Sequence, residues 1–240
     1  MKIDLTCKVK KDLYVVFILL SLIYGCSEQS QSYFPLDKNK SWYYNGRLVS
    51  SADDEKIRRV VSIAKDREIQ GADTKVQRTL VGNEHYYRED DRGIHRIGYM
   101  QKGKEQPVLY ETERYLFRYP LEQNKTWDDT LNTISLRSGG PRGITVNEQI
   151  PVTASLVSLN DSVEVPAGTF KNCLRVEKQG EIIITEGRYQ YLPNALIKIK
   201  EVSWYAAGVG LVKLDREETS DHVVLGNGRW ELELARLEVR

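Results

Sequence analysis

Ile197-Lys198-Ile199-Lys200-Glu201-Val202, Leu211-Val212-Lys213-Leu214-Asp215 and Trp230-Glu231-Leu232-Glu233-Leu234 decide the fold class. Apolar and polar residues alternate along each. That is the period of a β-strand, where successive side chains point to opposite faces. A helix would need apolar residues three and four apart. Ile182-Ile183-Ile184 adds a β-branched run of the kind strands favour. Turn signals separate these segments: Asp91-Arg92-Gly93, Ser138-Gly139-Gly140-Pro141 and Gly226-Asn227-Gly228. The last predicts a hairpin between His222-Val223-Val224-Leu225 and Arg229 to Leu234. Two short windows, Ala52 to Arg59 and Gly168 to Asn172, leave room for helix. The pattern predicts an all-β chain, an antiparallel barrel or a strongly curved sheet.

The chain also repeats itself. Phe34-Pro35-Leu36-Asp37-Lys38-Asn39-Lys40-Ser41-Trp42 matches Tyr119-Pro120-Leu121-Glu122-Gln123-Asn124-Lys125-Thr126-Trp127. Glu68-Ile69 and Arg78 parallel Glu164-Val165 and Arg175. Tyr87 with Gly93 to Ile97 parallels Trp204 with Gly210 to Leu214. The order is kept, which predicts two duplicated β-rich halves, 33–117 and 118–240, as one large or two small domains. In the repeated segment Pro breaks pairing, Asn tolerates positive φ in a turn, and Trp opens a strand. Trp42 and Trp127 are therefore expected to be core anchors, with Tyr44 and His95 more exposed.

Residues 1–25 read as a secretory signal. Lys8, Lys10 and Lys11 precede an apolar run from Leu13 to Tyr24, and polar Ser27 to Ser32 follows Cys26. The run is too short to span a bilayer, which takes roughly 20 residues. Ile23-Tyr24-Gly25-Cys26 resembles the lipobox of bacterial lipoproteins, with Tyr24 bulkier than usual. The resemblance implies cleavage before Cys26, lipidation of its sulfur, and a short polar tether over 26–32. Ser27, where Asp often signals inner-membrane retention, implies the outer membrane. Two or three acyl chains hold a protein stably, since each buried CH₂ contributes about 0.8 kcal/mol.

Composition weighs against some classes of function. Lys+Arg number 35 and Asp+Glu 34 in 240 residues. Without residues 1–25 they fall to 31 and 32, a net charge of −1. That argues against a nucleic-acid binder, which needs a basic face and usually a high pI. Cys173 is the one cysteine left besides Cys26, so no internal disulfide is expected. Its apolar neighbours on a predicted strand point to a buried, inert thiol.

Val165-Pro166-Ala167-Gly168-Thr169-Phe170-Lys171-Asn172-Cys173-Leu174-Arg175-Val176 and Trp204-Tyr205-Ala206-Ala207-Gly208-Val209-Gly210-Leu211-Val212-Lys213 carry a second resemblance. With the two Pro-Leu-x-x-Asn-Lys-x-Trp segments, they resemble a large group of bacterial secreted proteins and lipoproteins, sometimes labelled TapB-like. The resemblance covers most of 33–238 and implies export and a β-rich fold, with no established chemistry. Gly208 and Gly210 suit unusual backbone angles and not a dinucleotide loop, because no third Gly follows and no helix begins.

Chemistry-bearing residues are scattered. His85 and His95 fall on opposite arms of a predicted hairpin with its tip at Glu89 to Gly93, a thin basis for a metal site. Asp90-Asp91 and Asp128-Asp129 read as surface turns. Tyr43-Tyr44 and Tyr86-Tyr87 each place one ring inward and one outward. No nucleophile elbow is present. The expectation is a non-enzymatic, membrane-tethered envelope protein that binds or scaffolds, with no catalytic residue, cofactor or metal. Its partners are the membrane through Cys26 and an envelope protein or apolar lipid ligand, not nucleic acid. An envelope hydrolase is the alternative. An apolar cavity lining would favour a carrier, convergent carboxylates and His an enzyme, and a filled interior a scaffold.

Overall fold

A computed structural model describes residues 32–138, 143–185, 189 and 194–239. The signal at 1–25 and Cys26 lie outside the described residues, as does the tether except for Ser32. Thirteen strands follow in order: β1 (Lys40–Val49), β2 (Asp54–Ile63), β3 (Arg67–Ile69), β4 (Ala72–Thr79), β5 (Glu84–Asp90), β6 (Gly93–Met100), β7 (Val108–Arg118), β8 (Thr126–Asn132), β9 (Gln149–Val165), β10 (Gly168–Ile183), β11 (Leu196–Ala206), β12 (Gly210–Ser220) and β13 (Asn227–Val239). Among the described residues there is no helix. The first window is strand from Asp54 on, and 168–172 is strand throughout. From Asp54 on β2 pairs residue by residue with β1, and β10 opens at Gly168 opposite Val165. Ladder hydrogen bonds to a neighbour outweigh a weak local preference.

The strands pair antiparallel in the order β7-β6-β5-β4-β2-β1-β13-β12-β11-β10-β9-β8, with β3 beside β4 off this path. The two end strands meet. The Trp127 indole N–H on β8 donates to the Tyr115 carbonyl on β7 at 3.0 Å. The sheet is thus a nearly closed barrel, in which β7 and β8 lie side by side joined by a side-chain bond and no backbone ladder. Two six-stranded meanders make it up: β1, β2, β4, β5, β6, β7, then β8 to β13. The last strand of each lies beside the first strand of the other.

Both repeated Trp residues are core. Trp42 is 3% exposed and Trp127 8%. The Trp42 indole donates to the Val209 carbonyl at 2.6 Å. Trp42 packs with Val212 and Leu234, and Trp127 with Ile94 and Phe117, so each anchors on the late strands of the other half. The two turns differ in backbone: Asn124 has φ 65°, whereas Asn39 stays out of the left-handed region. Gly208 (φ 72°) and Gly210 (φ 94°) have the positive angles the β11–β12 turn requires.

The β12–β13 hairpin exists, but its loop is wider than the sequence suggests. β12 ends at Ser220, and His222 to Leu225 form a turn closed by Leu225 N–H on the His222 carbonyl at 3.0 Å. Leu225 plugs the core beside Ile197 and Ile199 while Val223 is exposed, so the apolar run there is not a strand arm.

Candidate functional site

Alternation builds the site. Moving two residues along the inner face from the apolar cluster around Trp42 and Trp127, several strands change to polar side chains together. Val61 gives way to Arg59, Ile94 to Arg96, Trp127 to Asp129, Val176 to Lys178, and Leu214 to Arg216. The registers align them into a belt. Lys178 lies opposite Glu201, Glu201 opposite Arg216, and Arg216 opposite Trp230. Across the barrel Tyr87 lies opposite Arg96, and Arg96 opposite Arg114.

On one side the belt is tightly paired. Lys178 Nζ donates to Asp129 at 2.7 Å, with side chains 9% and 4% exposed. Burial works against the Lys178 charge, but Asp129 and Glu201 outweigh it and hold its pKa above the ordinary value. Arg216 donates through Nε at 2.8 Å and also through Nη2 to Glu201, and through Nη1 to the Asn132 carbonyl at 3.0 Å. Beyond it, Glu218 accepts from the backbone N–H groups of Ile134 and Ser135 and from the Ser135 hydroxyl at 2.8–3.0 Å, pinning the chain after β8.

On the other side the cations lack such partners. Among the described residues no carboxylate makes an ion pair with Arg59, Arg96 or Arg114 within 4.0 Å. Arg59 sits 5.8 Å from the Trp230 ring centroid, and Arg96 5.3 Å and Arg114 3.7 Å from that of Tyr110. Arg114 also donates to the amides of Asn132 and Gln149. Arg96 bonds Tyr87. Burial, Arg96 and Arg216 lower the Arg59 pKa. Burial, reinforced by Arg96 and Arg59, brings His85 down to about 3, and its Nδ1 is buried without a hydrogen-bond partner.

The residues singled out from the sequence are dispersed. His85 and His95 do lie on the β5–β6 hairpin, but opposite Tyr99 and Arg88 and not each other. His95 is 2% exposed, 3.3 Å from Glu113, and Tyr44 is 6% exposed, its hydroxyl donating to the Leu211 carbonyl. Both were expected outside; inward alternation buries Tyr44, whereas His95 faces outward between Ile94 and Arg96 and is covered by the Tyr115 ring, 5.0 Å between centroids, and by Glu113. His222 is in the β12–β13 loop. Among the described residues no three His, Cys, Asp or Glu side chains gather to hold a metal. Asp90 caps its turn by accepting from Arg92 and Gly93 N–H groups. Asp129 is no surface residue, because β8 turns it inward onto Lys178. Tyr86 and Tyr87 are both buried: the second face carries its own cluster with Ile69 of β3. Tyr43 is half-buried, donating to Glu238 at 2.7 Å. Cys173 is fully buried on β10, and desolvation and Asp161 push its thiol up to about 11, as an inert thiol requires.

The belt was not read from the sequence, although a signal existed. In Ile197-Lys198-Ile199-Lys200-Glu201 the inward set is Ile, Ile, Glu. Charged residues occupying apolar slots mark it.

A solved structure of a candidate lipoprotein from Parabacteroides distasonis shares 12% identity at TM-score 0.42, over 88% of this chain and 100% of that one. A candidate exported protein with a YmcC-like fold from Bacteroides fragilis shares 16% at TM-score 0.41, over 87% and 99%. None of the curated proteins matches significantly. The family model described as DUF3108-like matches residues 94–224, which run from β6 to the β12–β13 loop and so include most of the belt. The chain belongs to the DUF3108-like family.

Proposed function

We propose that this is an exported, lipid-anchored binding protein of the bacterial cell envelope, held by Cys26 at the outer membrane, that takes a ligand into its barrel and catalyses nothing. One observation carries the binding reading. The inner face is apolar toward one end and charged at the belt, and Arg59 and Arg96 keep free surface there. A scaffold would fill this space, and a purely apolar carrier would not charge it. An amphipathic ligand suits both parts. Against an enzyme stands the way the carboxylates of the belt are used: Asp129, Glu201 and Glu218 are committed to Lys178, Arg216 and backbone N–H groups. The TapB-like kinship belongs to this reading too, since both of its later markers fall within 94–224.

The test uses full-length protein in detergent. Metabolic labelling with an alkyne fatty acid should mark the wild type and not Cys26→Ala. The apolar dye 1-N-phenylnaphthylamine should gain fluorescence saturably with both. An unlabelled wild type removes the anchor. Absence of saturable dye binding removes the ligand cavity.

A further inference from the structure

We propose that Arg59 and Arg96, with Arg114 and His85 beside them, form an anion site inside the barrel that binds a phosphate-class oxyanion. The proposal deepens the binding reading above, on which it rests.

Charge balance is the first ground. The belt brings five cations inward, Arg59, Arg96, Arg114, Lys178 and Arg216. The buried inner carboxylates among the described residues include Asp129, Glu148, Glu201 and Glu218, and none of them makes an ion pair with Arg59, Arg96 or Arg114 within 4.0 Å. Asp129 is bound to Lys178 and Glu201 to Arg216. Glu218, 3.8 Å from Arg216, is taken up by Ile134 and Ser135. Asp129 acts on Arg96 and Arg114 only beyond ion-pair distance. Three guanidinium groups are left without a carboxylate in contact: Tyr87, Tyr110 and the more distant Asp129 ease Arg96, amide oxygens hold Arg114, and burial with Arg96 and Arg216 works against Arg59. Leaving charge buried and unpaired is costly, and a bound anion relieves that cost.

Geometry is the second ground. Arg96 and Arg114 are cross-strand neighbours on β6 and β7, and Arg59 projects from β2. Trp230 and Tyr110 flank the guanidinium groups, and Tyr87 bonds Arg96. A guanidinium fork matches paired oxygens, and several forks at different angles suit a tetrahedral oxyanion better than a flat carboxylate. The unpartnered Nδ1 of His85 adds a neutral ring atom at the same place. Arg59 and Arg96 keep free surface, so a solute has atoms to reach.

The ligand source is either free phosphate or the phosphate of a lipid head, and the two separate by experiment. Full-length protein in detergent would be titrated calorimetrically with inorganic phosphate and with dihexanoyl phosphatidic acid. Wild type should bind at least one of them saturably. A tenfold or greater preference for the lipid assigns the head group of an amphiphile; equal affinity assigns the free anion. Arg59→Gln/Arg96→Gln should weaken binding at least tenfold, and Arg59→Gln alone should raise the melting temperature without ligand, because a charge disfavoured by burial, Arg96 and Arg216 is gone. Arg47→Gln, at the exposed pair with Asp54, should change neither. Absence of binding by either probe, or undiminished binding by the double variant, overturns the proposal. If 1-N-phenylnaphthylamine still binds in that case, the barrel remains a binding protein and only the anion assignment falls.

Discussion

Glu201 accepts from two nitrogens of Arg216, and both side chains are nearly inaccessible, at 5% and 8% exposed. Neither was bought cheaply out of water, so the pair is worth less than its geometry suggests, yet breaking it is severe. Glu201→Gln keeps the shape and removes the charge. It leaves Arg216 and Lys178 facing one carboxylate fewer, since Glu201 also acts on Lys178. Denaturant unfolding should show a loss of about 3–5 kcal/mol, the range for one partner removed from a buried pair. Arg229→Gln, at the exposed pair with Asp215, is the control and should leave the midpoint almost unmoved. Equal effects from the two variants would mean that the inner pair is solvated and the belt is not a closed interior.

At the scale of strands, the repeated Pro-Leu-x-x-Asn-Lys-x-Trp segment stands at the head of both meanders. Each segment leads into the first strand of a meander, β1 or β8. Each Trp reaches across to the partner half: Trp42 to Val209, and Trp127 to Tyr115 on β7. Trp42→Ala and Trp127→Ala should each cost about 3–5 kcal/mol, a large share of a stability of roughly 5–15 kcal/mol. Trp127→Phe separates two roles. It keeps most of the apolar bulk but loses the hydrogen bond between the end strands. Hydrogen exchange should then quicken in β7 and β8 before it does in β1 and β13; uniform protection would mean that the barrel does not depend on that bond for closure. The strands themselves were legible because alternation is local: Leu211 to Asp215 and Trp230 to Leu234 lie in β12 and β13 as their pattern required. Loop width was not, because Leu225 is apolar for a core contact with Ile197 and not for strand periodicity. Nor was the belt, because it depends on registers joining strands far apart in sequence. Arg96 meets Arg114 and Lys178 meets Glu201 only after pairing, and no single window contains those facts.

For the molecule as a whole, the buried histidines set how stability follows pH. Burial, Arg96 and Arg59 hold His85 at about 3 against an ordinary 6.5. Burial also lowers His95, where Arg92 and Arg88 add to it and Glu113 and Asp90 oppose it. A depressed histidine binds its proton in the unfolded chain first. Stability contributed this way is complete above pH 6.5 and falls as pH drops below it, by about 1.4 kcal/mol per pH unit for His85. For His85 the decline runs down to about pH 3. The carboxylates act in a lower window. Glu84, whose burial is outweighed by Arg78, Tyr86 and Arg67, is held below its ordinary 4.5, and Glu113 likewise through Tyr115. Their contribution is complete above 4.5 and is lost only as pH falls through their lowered values. The interval between pH 6.5 and 5 therefore belongs to the histidines. Melting temperatures in phosphate-free buffer should fall across it in the wild type and stay level in His85→Gln/His95→Gln, with both proteins losing stability below about pH 4.5. A wild type that is flat between pH 6.5 and 5 would place His85 in water. The space beside Arg59 and Arg96 would then be open solvent, and the free surface of those two arginines would no longer mark an interior site.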